Sequence, residues 1–276
     1  MITELWTPPI RLLECIAAPT ATELAVEAFA PIARGEMGKS ALRDRIETQH
    51  LVPIEALPVF LDAIRADYRV LTKKGRRLQH QQRLDFDFSD FALFLRQHAG
   101  AADRDKLRAS SYDASGENVL LVKHRDNKGR WRRTRKLRFV TDSQMRAVDP
   151  KSGELLRHRY RYRDDLVYGR LLTSFDRVTL VHRQLAERIT IDLDLRFEGA
   201  GRVATLSEVT VIEIARVRHG AESSAVARLR RQRMRPQRFS KYGIGVSLVY
   251  PQIKHNRYKP TLRQLDTLFR GVSHAH

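Results

Sequence analysis

One cysteine, Cys15, stands in 276 residues, so no disulfide closes within the chain and no thiolate zinc site forms. The ten histidines are scattered, without an HExxH pattern or paired metal spacing, and read mostly as surface residues. No apolar run approaches the roughly 18 to 20 residues of a membrane span. The first residues lack a basic segment followed by an apolar one, so they do not read as a secretory signal. A soluble, cytoplasmic protein is therefore expected. Acid is in short supply: 32 Asp and Glu against 51 Lys and Arg give a formal charge of +19. With 42% hydrophobic residues this is a folded chain with a cationic surface or cavity, not a disordered polycation. Nucleic acid, anionic lipid and polyphosphorylated small molecules are the partner classes, and charge alone does not rank them.

What is present begins with Asp105 to Arg138, which reads as three consecutive strands. Lys106, Arg108, Ser110 and Tyr112 alternate with Leu107 and Ala109, so they share one side of a strand. Residues 115–118 turn the chain, and Val119 to Lys123 returns as an apolar run ending in a lysine. A second turn at Asp126 to Gly129 leads to Trp131 to Phe139, with Arg132, Thr134, Lys136 and Arg138 on one side. Like charges facing one another across strands repel, so such a surface is costly until a polyanion fills it.

The remaining chain divides into an extension, residues 1–44, and a main domain, 45–276. Thr20 to Glu23 forms a capping box that opens a short helix through Phe29. Arg45 to Val52 reads as a strand; Pro53 then starts a helix with Ile54, Leu57, Leu61, Ile64 and Tyr68 at helical spacing. Arg83 to Phe88 is a short strand and Phe91 to Leu95 a helical turn; the lone Asp85, Asp87 pair is a weak signal. Lys151 to Arg163 reads as a solvated basic strand or hairpin. Leu171 to Val181 is a strand, and Glu187 to Leu195 alternates strictly, with Ile189, Ile191, Leu193 and Leu195 on one side. Thr205 to Val217 reads as one strand carrying Glu213 inside an apolar run, where a carboxylate needs cations, a metal or a proton. Ser224 to Met234 is a very basic helix and Pro260 to Phe269 a final one. The expected fold is α+β: an antiparallel sheet of about eight strands closed on itself, with helices outside.

The order of these pieces resembles the VTC (vacuolar transporter chaperone) polyphosphate polymerase domain, in the CYTH-like triphosphate tunnel superfamily. The resemblance covers about residues 45 to 250. It rests on Arg45 to Val52, Leu84 to Phe88, Lys106 to Arg108 with Tyr112, Val122-Lys123 with Asn127 to Arg130, and Arg238 to Tyr242. It implies a closed tunnel of antiparallel strands in which the γ-phosphate of ATP passes onto a growing polyphosphate chain. Such a reaction asks for in-line positioning and neutralised oxygen charge, not a nucleophilic side chain. Carried over by position, Lys123, Arg177, Arg188 and Lys241 would act in catalysis. Lys106, Arg108, Lys136, Arg238 and Ser240 would bind substrate, and Glu213 would hold Mn²⁺ or Mg²⁺. ATP and polyphosphate are the implied ligands; no nucleic acid is expected, and a membrane-protein partner would be needed for export.

The chain departs from the family pattern. Gln49, Ser110, Leu121, Ser174 and Ala215 stand where the family has charged residues. Each lost charge-assisted hydrogen bond costs about 1.5–3 kcal/mol. The alternative reading is therefore a degenerate domain that binds polyphosphate or nucleotide without turnover. A triphosphate hydrolase needs a fuller acidic set, which Leu121 argues against. A nucleic-acid binder is supported by net charge and the Arg228 to Arg235 stretch alone.

Overall fold

Apolar and polar residues alternate along many segments of the chain, and these fold as strands for that reason. The computed structural model describes residues 20–37, 45–111, 118–127, 131–138, 167–218 and 221–273. Its strands are β1 (Ala30–Ala33), β2 (Arg45–Pro53), β3 (Tyr68–Thr72), β4 (Gln79–Asp87), β5 (Arg104–Ser111) and β6 (Asn118–Arg125). Then follow β7 (Trp131–Arg138), β8 (Tyr168–His182), β9 (Glu187–Gly199), β10 (Arg202–Leu206) and β11 (Val209–Val217). The helices are α1 (Ala21–Glu27), α2 (Leu57–Ile64), α3 (Ala92–His98), α4 (Ser224–Arg231), α5 (Lys241–Val249) and α6 (Lys259–Ser273). Cys15, Tyr112, the turn at 115–117 and the Lys151 to Arg163 segment lie outside the described residues.

The strands form one sheet whose hydrogen-bonded path runs β2-β11-β9-β8-β4-β5-β6-β7. This corrects the expected closed tunnel: the path is open, and among the described residues its end strands β2 and β7 do not pair with each other. Closure needs the two end strands to meet at a fixed stagger. The outer edge of β2 is instead engaged by the segment before α5, where the Gln237 N–H donates to the Gln49 carbonyl at 2.7 Å. Alternation along a strand records which side a residue faces; it carries no record of which strand lies beyond the edge. The fold is an α+β sheet.

Two long strands serve two neighbours along one edge. β8 pairs with β4 over Tyr168 to Arg177 and with β3 over Leu180 to His182. β9 pairs with β11 over Glu187 to Asp192 and with β10 beyond Leu195. The expected single strand Thr205 to Val217 is broken at Ser207 and Glu208, giving β10 and β11. Tyr68, expected on the helix after Pro53, opens β3 instead, because α2 stops at Ile64.

Three apolar clusters hold the helices to the sheet. Val178, Leu180, Ile189, Ile191, Ile212 and Ile214 pack under α1, α2 and α4. Leu171, Phe175, Leu195, Phe197 and Val211 pack against α5 and Tyr258. Phe86, Leu93, Leu107, Ala109 and Val122 form the third. Strict alternation in β9 fails at Asp194, which sits at φ 49° while the β8–β9 register slips between Ser174 and Asp176. This bulge sends Leu193 into the first cluster and Leu195 into the second. α5 comes close because it carries Gly243 and Gly245: a Cβ on Gly245 would lie 2.5 Å from Leu171 and 2.6 Å from Phe197. The buried Asp87 carboxylate accepts the Phe88, Leu93 and Phe94 backbone N–H groups and the Tyr242 hydroxyl, tying the start of α3 to α5.

The N-terminal helix α1 has the expected capping box between Thr20 and Glu23. Arg77 caps its other end by donating to the Val26, Glu27 and Phe29 carbonyls. β1 then pairs in parallel with β3.

Candidate basic phosphate-binding face

In an antiparallel ladder, residues directly opposite one another point to the same side. Asp192 on β9 stands opposite Arg177 on β8. On β4, Arg83 stands opposite Ser110 of β5, and Asp85 stands opposite Arg108. Lys106 faces Lys123 across β5 and β6. The cations therefore share one side of the sheet and step diagonally across it, from Arg177 level with Gln79 to Arg108 level with Asp85.

The centre of this face is an aromatic ring ringed by cations. Arg83, Arg177 and Lys241 lie 4.8, 5.1 and 5.0 Å from the centroid of the buried Phe175 ring. Lys241 reaches it from the first turn of α5. The residues before it set its position: buried Phe239 anchors the segment in the core, and the Ser240 hydroxyl caps α5 by accepting from the Gly243 N–H at 3.1 Å. Ser240 also accepts from the Gln97 amide at 2.9 Å. Arg238, on the other side of Phe239, is exposed.

Two carboxylates already neutralise part of the positive charge. Arg177 grips Asp192 with both ends of its fork, Nε to Oδ1 at 2.5 Å and Nη2 to Oδ2 at 2.8 Å, and Lys241 donates to Oδ2 as well. Asp85 accepts from Arg108 Nε at 2.9 Å. Burial alone would raise the Asp192 pKa; Lys241 and Arg177 overturn that and hold it at about 2. The cations carry the opposite strain. Burial, then the charges of Arg108 and Arg177, lowers Arg83 to about 10. Burial, then Arg108, lowers Lys106 to about 7. Burial likewise pulls Lys241 down against the attraction of Asp192. A multivalent anion entering this face relieves all of these together.

Arg188 shares the side but sits four residues from Asp192 along β9, about 13 Å away. Lys136 lies on β7 opposite Leu121; the side chains of both, and of Ser110, lie outside the described set. Glu213 stands opposite Gln49 on β2 and Thr190 on β9. The Gln49 amide donates to its Oε2 at 3.1 Å, and the same amide oxygen accepts the Phe239 N–H at 3.0 Å. Gln49 thus ties Glu213 to the lead-in of α5. Asp192 is bonded to Arg177 and Lys241, Asp85 accepts from Arg108 through Oδ1 alone, and among the described residues no group of three or more His, Cys, Asp or Glu could hold a metal ion.

The sequence reading missed Arg83, Phe175, Asp85 and Asp192 as members of this face. The signal for Asp192 was its place among the polar residues that alternate with Ile189 to Leu193. Among the described residues no helix is long and apolar enough to cross a membrane.

Solved structures similar to this chain include the PH1819 protein of Pyrococcus horikoshii OT3, at 14% identity over 71% of this chain and 91% of the other, with a TM-score of 0.38. A candidate adenylate cyclase of Bacillus halodurans is 14% identical over 71% and 95%, with a TM-score of 0.42. HpAC1 of Hippeastrum, described as having a dominant triphosphatase activity, is 18% identical over 74% and 94%, with a TM-score of 0.37. No curated protein matches the chain. The model of the VTC domain matches residues 44–250, the larger part of the sequence, and the chain belongs to that family.

Proposed function

We propose that this chain binds a linear phosphate chain, as polyphosphate or the triphosphate of a nucleotide, on the basic face and does not turn it over. The observation that carries this reading is the convergence of Arg83, Arg177 and Lys241 on Phe175 beside a single shared carboxylate, Asp192. Family membership supports phosphate handling. Phosphate oxygens take the hydrogen bonds that Arg177 and Lys241 now give to Asp192, and draw Lys106 into its fully charged form. The Phe175 ring supplies a floor that keeps the cations from relaxing away.

Turnover asks for more than attraction. It needs charge placed where it develops on the transferred group, with the attacking and leaving oxygens in line. Here Gln49 replaces the family lysine and binds Glu213, while Asp192 and Asp85 are bound to arginines. What remains is a site with ground-state affinity and, among the described residues, without a carboxylate set for a metal-assisted transition state.

The test combines binding and product analysis. Titration with polyphosphate is expected to give tight binding that weakens steeply with salt, as counterion release requires. Incubation with ATP and Mn²⁺ or Mg²⁺ is expected to release no ADP. Steady ADP release with a lengthening polymer would overturn the reading in favour of a polymerase; ADP with orthophosphate alone would favour a hydrolase. RNA binding tighter than polyphosphate of equal charge would move the site to a different ligand class.

A further inference from the structure

The basic face continues past Lys106 and Lys123. Two pairs further along the same ladder, Arg104 on β5 stands opposite Arg125 on β6. Both arginines fall on the side that carries Lys106 and Lys123. A third guanidinium joins them from a different part of the chain. Arg257, just before α6, donates through Nη1 to the His98 carbonyl at 3.3 Å, and its backbone N–H donates to His98 Nε2 at 3.2 Å. Arg104 donates to the Ala101 carbonyl at 2.9 Å. The carbonyl of His98, at the end of α3, thus holds one guanidinium, and the carbonyl of Ala101, three residues on, holds the other.

A helix C-terminus attracts cations, and that alone accounts for one arginine. It does not account for the gathering of charge. Burial lowers the Arg104 pKa, and Arg125, Arg257 and Arg238 lower it further by repulsion. Lys254 and Arg257 act in the same direction on His98 after its own desolvation. Cations brought together at such cost are relieved by an anion. Arg238, whose charge reaches Arg104, adjoins the segment that delivers Lys241, so the cluster is continuous with the basic face. Arg257 lies beyond residues 44–250, the stretch that matches the VTC domain.

We propose that Arg104, Arg125 and Arg257 form a second anion subsite, which holds the distal phosphates of a chain longer than a triphosphate. This rests on the reading that the basic face binds phosphate chains. Arg104 is four residues from Arg108 along β5, about 13 Å. A triphosphate has two P–O–P links and cannot hold Arg83 while reaching Arg104. A long chain that occupies the Phe175 cluster can run past Arg108 and Lys106 and bind both.

The experiment compares tripolyphosphate with a long polyphosphate on the full chain, at several salt concentrations. Arg257 is exposed, so Arg257→Gln leaves the core untouched; Arg125→Gln is the second variant, and melting curves check that each is folded. Each variant is expected to weaken the long chain about tenfold, with a shallower salt dependence, and to leave tripolyphosphate within about twofold. Equal losses for both probes, or no loss for the long chain in either variant, overturn the subsite. Wild-type protein that binds tripolyphosphate and the long chain alike also overturns it, and leaves the basic face standing. Wild-type protein that binds neither probe removes both.

Discussion

On the function proposed above, Lys106 would make phosphate binding a proton-linked event. Its ammonium is held down to about 7 by burial first and then by Arg108, with Arg104 and Lys123 acting in the same sense and Asp85 against them. At about pH 8.5 nearly all free protein therefore carries Lys106 neutral, whereas phosphate oxygens beside it restore a value near the ordinary 10.4. Binding at that pH takes up close to one proton. Between about 7 and 10 affinity falls about tenfold for each pH unit, or about 1.4 kcal/mol. Isothermal titration of polyphosphate in buffers of different ionisation enthalpy measures the uptake directly. Lys106→Arg keeps the charge and removes the titration, so it should bind well with a flat pH profile. Heats independent of buffer in the wild type, or equal uptake in Lys106→Arg, would refute the argument. The same shift sets the stability of the free protein. Its folded value is depressed, so the unfolded chain binds more protons between about 7 and the ordinary lysine value. Stability contributed by this group accordingly rises with pH through that window and is lost as pH falls through it.

Asp192→Asn strands the Arg177 and Lys241 charges without their buried partner, and is expected to cost about 3–5 kcal/mol, read as a lower melting temperature. Polyphosphate should raise that temperature more in the variant than in the wild type, because the ligand then supplies the missing anion. Gln49→Ala leaves the Phe239 N–H and one oxygen of Glu213 without the amide they share, and should cost about 1–3 kcal/mol in urea unfolding; a change under half of the lower figure would show that water replaces the amide fully. Gly245→Ala places a methyl within 2.6 Å of the buried Leu171 and Phe197 side chains, and overpacking of about 1–3 kcal/mol should outweigh the better helix propensity, again seen in the melting temperature. Polyphosphate affinity is expected to be unchanged by EDTA, since guanidinium and ammonium groups supply the positive charge; a tenfold loss on chelation would place a metal in the bound state.

Much of the sheet is legible in the sequence because period-two patterning is local. Ile189 to Leu193 and Lys106 to Arg108 report their own sidedness without knowledge of any partner. The misreadings came where a distant contact decides. Tyr68 continues the helical spacing of Ile64, yet it is drawn into β3 by pairing with His182. Thr205 to Val217 reads as continuous, yet it breaks at Ser207 and Glu208 into a strand paired with β9 alone and one paired with both β9 and β2. Closure of the sheet was illegible for the same reason: what lies against β2 is Gln237, nearly 190 residues away. In the candidate site, the resemblance pointed to Arg177 and Lys241 by position. Asp192 and Asp85 went unrecognised because a carboxylate on a polar strand face looks the same whether it meets water or an arginine.

Asp192 also bears on which anions this face will accept. It sits where a ligand oxygen would sit, as a tethered competitor that never leaves, and its low pKa keeps it in play down to strongly acidic solution. A chloride ion or a single orthophosphate gains one or two contacts at most and must take them from a rival already bonded to Arg177 and Lys241. A chain with many repeating charges engages Arg83, Arg108 and Lys106 in the same event and tips the contest through their sum. If this face binds phosphate chains as proposed, the built-in carboxylate would act as a valence filter: small anions would be turned away, and the threshold for entry would be set by how many charges arrive together on one molecule.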